Sequence, residues 1–163
     1  MQKNFDKRFF SNNRKKLYSL LTPDSIVVLF SAEQFPRNGD QYYKYRQNSD
    51  TYYYSGLIQE QTIIVLFNDS KNQRVEEFAF ITEPDEKTLI WTGHKYSKEE
   101  VFEISGITNV EFLIKFDETL KNLLSKTSVI YYSFKSNIRG IKYNDYNIDS
   151  WKANLEKANN NLV

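Results

Sequence analysis

The sequence predicts an α/β fold, a single mixed β-sheet of about five to six strands flanked by helices. Three observations point to it. Strand-like runs recur at 26–31 (IVVLFS), 62–67 (TIIVLF) and 129–134 (VIYYSF), and the first two are apolar throughout, the pattern of a strand covered on both faces. A polar turn at 68–73 (NDSKNQ) separates the second run from an alternating one at 76–81 (EEFAFI), so those two strands form a hairpin. Segments with helical periodicity open the chain, close it, and alternate with strands in its second half, which places helices on the faces of one sheet.

The elements follow in order. Residues 5–21 form an amphipathic helix: Phe9, Phe10, Leu17, Leu20 and Leu21 share one side, and Lys7, Arg8, Arg14, Lys15 and Lys16 form a solvated face. Thr22-Pro23 ends it, because the residue before proline avoids helical backbone. After the first strand comes a loop at 37–50, then a short strand at 52–54 closed by Ser55-Gly56. In the 76–81 strand, Phe78 and Phe80 share a face. A loop at 82–87 leads to LIWTG at 89–93, which brings a tryptophan beside the only histidine. Ser97 and Glu100 make a capping box for a helix that Gly106 ends. A brief strand spans 110–112. Asp117 caps a helix to about residue 125, with Leu120, Leu123 and Leu124 facing inward. After the 129–134 strand, Ile148, Trp151, Leu155, Ala158 and Leu162 mark a last helix over 148–162.

Bulk properties narrow the function. The 163 residues fit one domain, and 40% hydrophobic with 16% aromatic residues supply a real core. With 22 basic and 21 acidic side chains the net charge is +1, which gives no electrostatic footprint for nucleic acid or an anionic membrane. The absence of cysteine excludes disulfides and thiolate metal sites. No apolar segment has signal-peptide or membrane-span character, so the expected location is the cytoplasm.

Residues 37–56 (RNGDQYYKYRQNSDTYYYSG) combine more aromatics than a surface loop needs with more charges than a core strand tolerates. Arg37, Asp40, Arg46 and Asp50 are therefore expected to form one buried, mutually neutralising network, since an unpaired buried charge is too costly. Mg²⁺ binding by Asp40, Asp50, Glu76 and Glu77 is disfavoured, because a nuclease would also need a basic groove, and for Asp40 and Asp50 ion pairs with Arg37 and Arg46 are the favoured use. The six tyrosines from Tyr42 to Tyr54 read as partly core rather than as a stacking platform for single strands. His94 has no G-x-S-x-G partner and no second imidazole, so it reads as a loop residue near the surface, and no metal site or catalytic residue is expected in this chain.

The order RNGD, YRQNSD, YYYSG resembles the signature of the N-terminal domain of Xaa-Pro aminopeptidases (aminopeptidase P), within the creatinase and prolidase group. TIIVLF after Ser55-Gly56, and Trp91, Gly93 and Lys95 before the Ser97 helix, resemble further segments of that family, so the likeness covers nearly the whole chain. Two positions depart from it: Gln59-Glu60-Gln61 stands where Glu-Pro is common, and His94 where a basic residue is common. The resemblance implies a ribonuclease-H-like fold over residues 1–163, serving as the non-catalytic N-terminal domain of a metal-dependent enzyme that removes the residue before proline. It implies a C-terminal catalytic partner domain of the pita-bread type, absent from this chain, with two divalent ions, Mn(II) or another, activating water. It further implies a homo-oligomer, a peptide substrate with proline second, and a role in shaping access to the active site, with Trp91 and His94 lining the substrate entrance. For Trp91 the alternative is an ordinary core position. A stand-alone binding module, or the matching domain of a prolidase, remains the alternative for the chain.

Overall fold

The computed structural model of the chain describes residues 5–84 and 94–132. Helix α1 (Lys7–Tyr18) precedes strand β1 (Ser25–Phe30), the small strands β2 (Pro36–Asn38) and β3 (Gln41–Tyr42), and helix α2 (Ser49–Ser55). Strands β4 (Ile63–Asp69) and β5 (Arg74–Ile81) follow, then α3 (Lys98–Ser105), β6 (Asn109–Phe112), a 3-10 turn (Leu113–Lys115), α4 (Phe116–Leu124) and β7 (Val129–Tyr132). Five strands make one sheet in the order β6-β5-β4-β1-β7, and β2 pairs only with β3. The sheet is mixed: β1–β4 and β4–β5 run antiparallel, β1–β7 and β5–β6 parallel.

Register sorts the apolar runs onto two faces. Ile26, Val28 and Phe30 lie opposite Phe67, Val65 and Ile63. With Phe80 these residues pack beneath Phe116, Leu120, Leu123 and Leu124 of α4. The alternate residues Val27, Leu29, Ile64, Leu66, Ala79 and Ile81 form the other face, covered by Val101 of α3, Leu57 and Ile107, with Leu17 and Tyr18 of α1 and Tyr54 of α2 at its margin. Two buried faces explain why β1 and β4 are apolar without alternation.

Several expectations hold. The hairpin is antiparallel, and Phe78 and Phe80 stack at 6.1 Å on the α4 face. The Ser97–Glu100 capping box is formed in full, and Gly106 ends α3 in the left-handed region at φ 75°. Asp6, just outside α1, accepts from the amides of Arg8 and Phe9 and fixes the start of that helix.

Three expectations are corrected. Residues 52–54 are helical, not extended. Their tyrosines favour a strand locally, yet Gly56 at φ 74° caps a helix and its N–H donates to the Tyr52 carbonyl at 2.8 Å. Thr51 and Ser55, one turn apart, are both buried, so docking holds a helix too short to persist alone. The 37–50 loop contains the β2–β3 ribbon. Finally, Asp117 does not cap α4: the 3-10 turn runs straight into Phe116, which packs edge-on against Phe80 at 5.3 Å, and Asp117 and Glu118 sit in the first turn, where they complement the helix dipole. The LIWTG segment at 89–93 and the expected helix at 148–162 lie outside the described residues, as does the end of the 129–134 strand.

Candidate functional site

The carboxyl ends of β1 and β5 lie at one end of the sheet, and there the 31–48 and 57–62 connections meet the loop at 94–97. The side chain that joins the first two is Gln47, only 8% exposed. Its Oε1 accepts from the amides of Ala32 (2.8 Å) and Asn48 (3.0 Å), and its Nε2 donates to the carbonyls of Leu57 (3.2 Å) and Gln59 (3.0 Å). All four hydrogen-bonding positions of the amide are used. Asn48 Nδ2 and Thr51 Oγ1 both donate to the Phe30 carbonyl, the last of β1. Ser31 Oγ accepts from the Thr62 amide at 3.0 Å.

The third loop joins through Gln59, whose Oε1 accepts from the Tyr96 amide at 2.7 Å. Lys95, nearly buried, lies 3.6 Å from Glu60. Tyr45 donates to the Ala32 carbonyl. Burial, and secondarily Glu60 and Tyr96, raise the Tyr45 phenol well above its ordinary range, so it stays neutral.

The four charged residues expected to form a buried network do not enter the interior. Arg37, Asp40, Arg46 and Asp50 are all exposed, and the ion pairs among the described residues lie elsewhere. Arg37 instead rests over the Tyr43 ring at 5.9 Å. Desolvation explains the exchange: Gln47 satisfies buried backbone groups without carrying a formal charge.

A buried ion pair does exist, at a position expected on the solvated face of α1. Arg14 is fully buried. Its Nη1 donates to the carbonyls of Tyr54 (2.8 Å) and Ser105 (3.0 Å), at the ends of α2 and α3, and its Nη2 lies 2.8 Å from Glu77 Oε2. Tyr18 donates to the other Glu77 oxygen at 3.2 Å. Burial, and next the negative charge of Glu77, push the Tyr18 phenol far up, so it remains a donor. The two helix ends are built alike. Ser55-Gly56-Leu57 and Ser105-Gly106-Ile107 each place the serine hydroxyl between a carbonyl four residues back and the amide two residues on. The signal for Arg14 was its spacing, since 10, 14, 17 and 21 fall on one helical stripe with Phe10, Leu17 and Leu21.

His94 is exposed, with Nε2 2.9 Å from Glu100 Oε1 and its ring 6.2 Å from that of Tyr96. Glu100 also accepts from the Ser97 amide at 2.8 Å, and that bond, followed by His94, holds its carboxyl below the usual range. The same loop thus carries His94 outward and Lys95 and Tyr96 inward. Trp91, expected beside His94, lies outside the described residues. Among the described residues no group of three or more His, Asp or Glu side chains is placed to hold a metal ion. Chemically, this end of the domain is a hydrogen-bonded junction of loops.

The family model "Aminopeptidase P, N-terminal domain" matches residues 10–131. The Xaa-Pro aminopeptidase of Escherichia coli is 28% identical over 126 residues, which span 76% of this chain and 28% of that protein. The enzyme of the same name from Haemophilus influenzae is 24% identical over 127 residues, 77% of this chain and 29% of that protein. A solved structure of a putative aminopeptidase P from Bacillus anthracis superposes with a TM-score of 0.78 at 27% identity, covering 94% of this chain and 36% of that one. A zinc-substituted Escherichia coli aminopeptidase P in complex with product superposes at 0.80 with 24% identity, over 97% of this chain and 35% of that one, a likeness of fold. The chain therefore spans about a third of the length of the proteins it resembles.

Proposed function

The chain belongs to the family of aminopeptidase P N-terminal domains, and on that premise we propose that it is the non-catalytic N-terminal domain of a metal-dependent Xaa-Pro aminopeptidase. In this reading residues 1–163 form one domain, and a C-terminal pita-bread domain carries two divalent ions, Mn(II) among the candidates, and the chemistry. The observation that supports it most is the unbroken family match over residues 10–131, in a chain that covers only about a third of its relatives.

The domain's task is then to shape access to the active site and support assembly into a homo-oligomer, in the cytoplasm. The 94–97 loop suits the first part. Its backbone is tied to Gln59, Lys95 is tied to Glu60, and His94 stands outward at 68% side-chain exposure. Trp91 and His94 line the substrate entrance in this reading, and the substrate is a peptide with proline second. Replacing Trp91 by alanine in the full-length protein should lower kcat/KM for an X-Pro peptide on the order of tenfold, with thermal stability unchanged.

The deciding experiment is to read and express the open reading frame past Val163. A downstream segment with Asp, His and Glu ligands, and EDTA-sensitive release of the first residue from an X-Pro tripeptide, are expected. A frame that stops at Val163 favours a stand-alone binding module, and release confined to X-Pro dipeptides favours a prolidase.

A further inference from the structure

We propose that the β2–β3 ribbon is a docking arm that seats its aromatic and cationic side chains on a carboxylate-bearing surface of the peptidase portion of the same polypeptide. The inference rests on the reading above and adds the surface through which this domain meets its partner.

The ribbon is joined to the five-stranded sheet by no strand pairing. Pro36 pairs with Tyr42 and Asn38 with Gln41, and at the tip Gly39, with φ 55°, has nothing within 4 Å of where a side chain would begin. Every residue from Gln34 to Lys44 is exposed. Three of them are large aromatics: Phe35 at 36%, Tyr42 at 56% and Tyr43 at 55% exposure. Single exposed aromatics are ordinary, but three on one short projection mark a surface meant to be covered.

Its base is fixed. The Tyr43 amide donates to the Phe35 carbonyl at 2.9 Å, Tyr45 donates to the Ala32 carbonyl, and Gln47 locks the next residues to the body. A pre-organised arm gives up little conformational freedom when it binds.

The chemistry of the arm points to the occupant. Between residues 34 and 46, Arg37, Lys44 and Arg46 stand against Asp40, so this segment is cationic on a chain that is nearly neutral as a whole. Tyrosine and arginine are the residues enriched at the energetic centres of protein–protein contacts. On this domain's own surface four carboxylates are held by its own cations: Glu103 by Lys7, Glu111 by Lys98, Glu118 by Lys115 and Glu76 by Arg74. The remaining two thirds of the polypeptide, by the length of the relatives, is the surface available.

The test places a photo-crosslinking amino acid at Tyr42 of the full-length protein and, as a control, at Leu20, which is 81% exposed on the α1 exit. The Tyr42 probe should form an intramolecular crosslink to an Asp- or Glu-bearing peptide beyond residue 163, and the Leu20 probe should not. Joint Arg37→Glu and Arg46→Glu substitution should cut that yield on the order of tenfold with an unchanged melting temperature. Capture only of residues 1–163 from a second copy, capture of nucleic acid, or no capture overturns the inference. A full-length protein that cleaves X-Pro peptides yet shows no such crosslink overturns it alone, whereas a reading frame ending at Val163 overturns it together with the proposed function.

Discussion

Residues 36–46 and 47–56 are neighbours of similar composition with opposite fates. Both halves hold tyrosines and formal charges, yet the first stays almost wholly in solvent while the second sends Gln47, Thr51, Ser55 and Gly56 inward. The difference teaches that burial followed the supply of hydrogen-bond partners and not the density of aromatics. A neutral amide or hydroxyl that finds two or more backbone groups goes inside. An arginine with only a nearby aspartate stays in water, where separation costs little. Arg14 shows the exception: it goes in because two helix ends and Glu77 wait for it together.

That contrast can be broken at several points. Replacing Arg14 by methionine should be the most damaging change. It strips the Tyr54 and Ser105 carbonyls of their donor and leaves Glu77 unpaired, at a cost of about 3 kcal/mol, the low end for a broken buried pair because Glu77 keeps some contact with water. Urea denaturation measures it, and a loss below about 1 kcal/mol would mean that α2 is held by packing alone. Gly56→Ala follows. The left-handed backbone and a methyl pressed into the Phe10 ring should together cost about 2–3 kcal/mol in the same assay.

Gln47→Leu comes next. It keeps the bulk but orphans the Ala32 amide and the Leu57 and Gln59 carbonyls, for a loss of about 2 kcal/mol. Last, Arg46→Ala should shift the melting temperature negligibly, within about 0.5 kcal/mol, as for an exposed side chain away from special features. A large effect there would restore the charged network and erase the contrast between the halves.

Much of the fold was legible because its signals are local. Apolar runs at 26–31 and 62–67, the turn at 68–73 and the Ser97-x-x-Glu100 box each state their conformation within a few residues. The 49–55 helix was not legible, because its tyrosines favour extended backbone and the groups that hold it, Arg14, Asn13 and the Phe30 carbonyl, come from distant segments. At the candidate site the residues that stand out in the sequence are not the ones that make the buried hydrogen bonds. Charge drew attention to Arg37 and Asp40, whereas the work falls to Gln47 and Gln59, whose value depends on which backbone groups surround them. Arg14 sat on the apolar stripe in plain view, and its charge disguised it.

One guanidinium closing the ends of both α2 and α3 ties their fluctuations together. Neither helix can fray from its carboxyl end without loosening the bond that restrains the other, so the two should open as one cooperative unit with α1. Segments far apart in the chain would then share a single opening free energy, and a perturbation felt at α1 would reach the loop junction through a side chain.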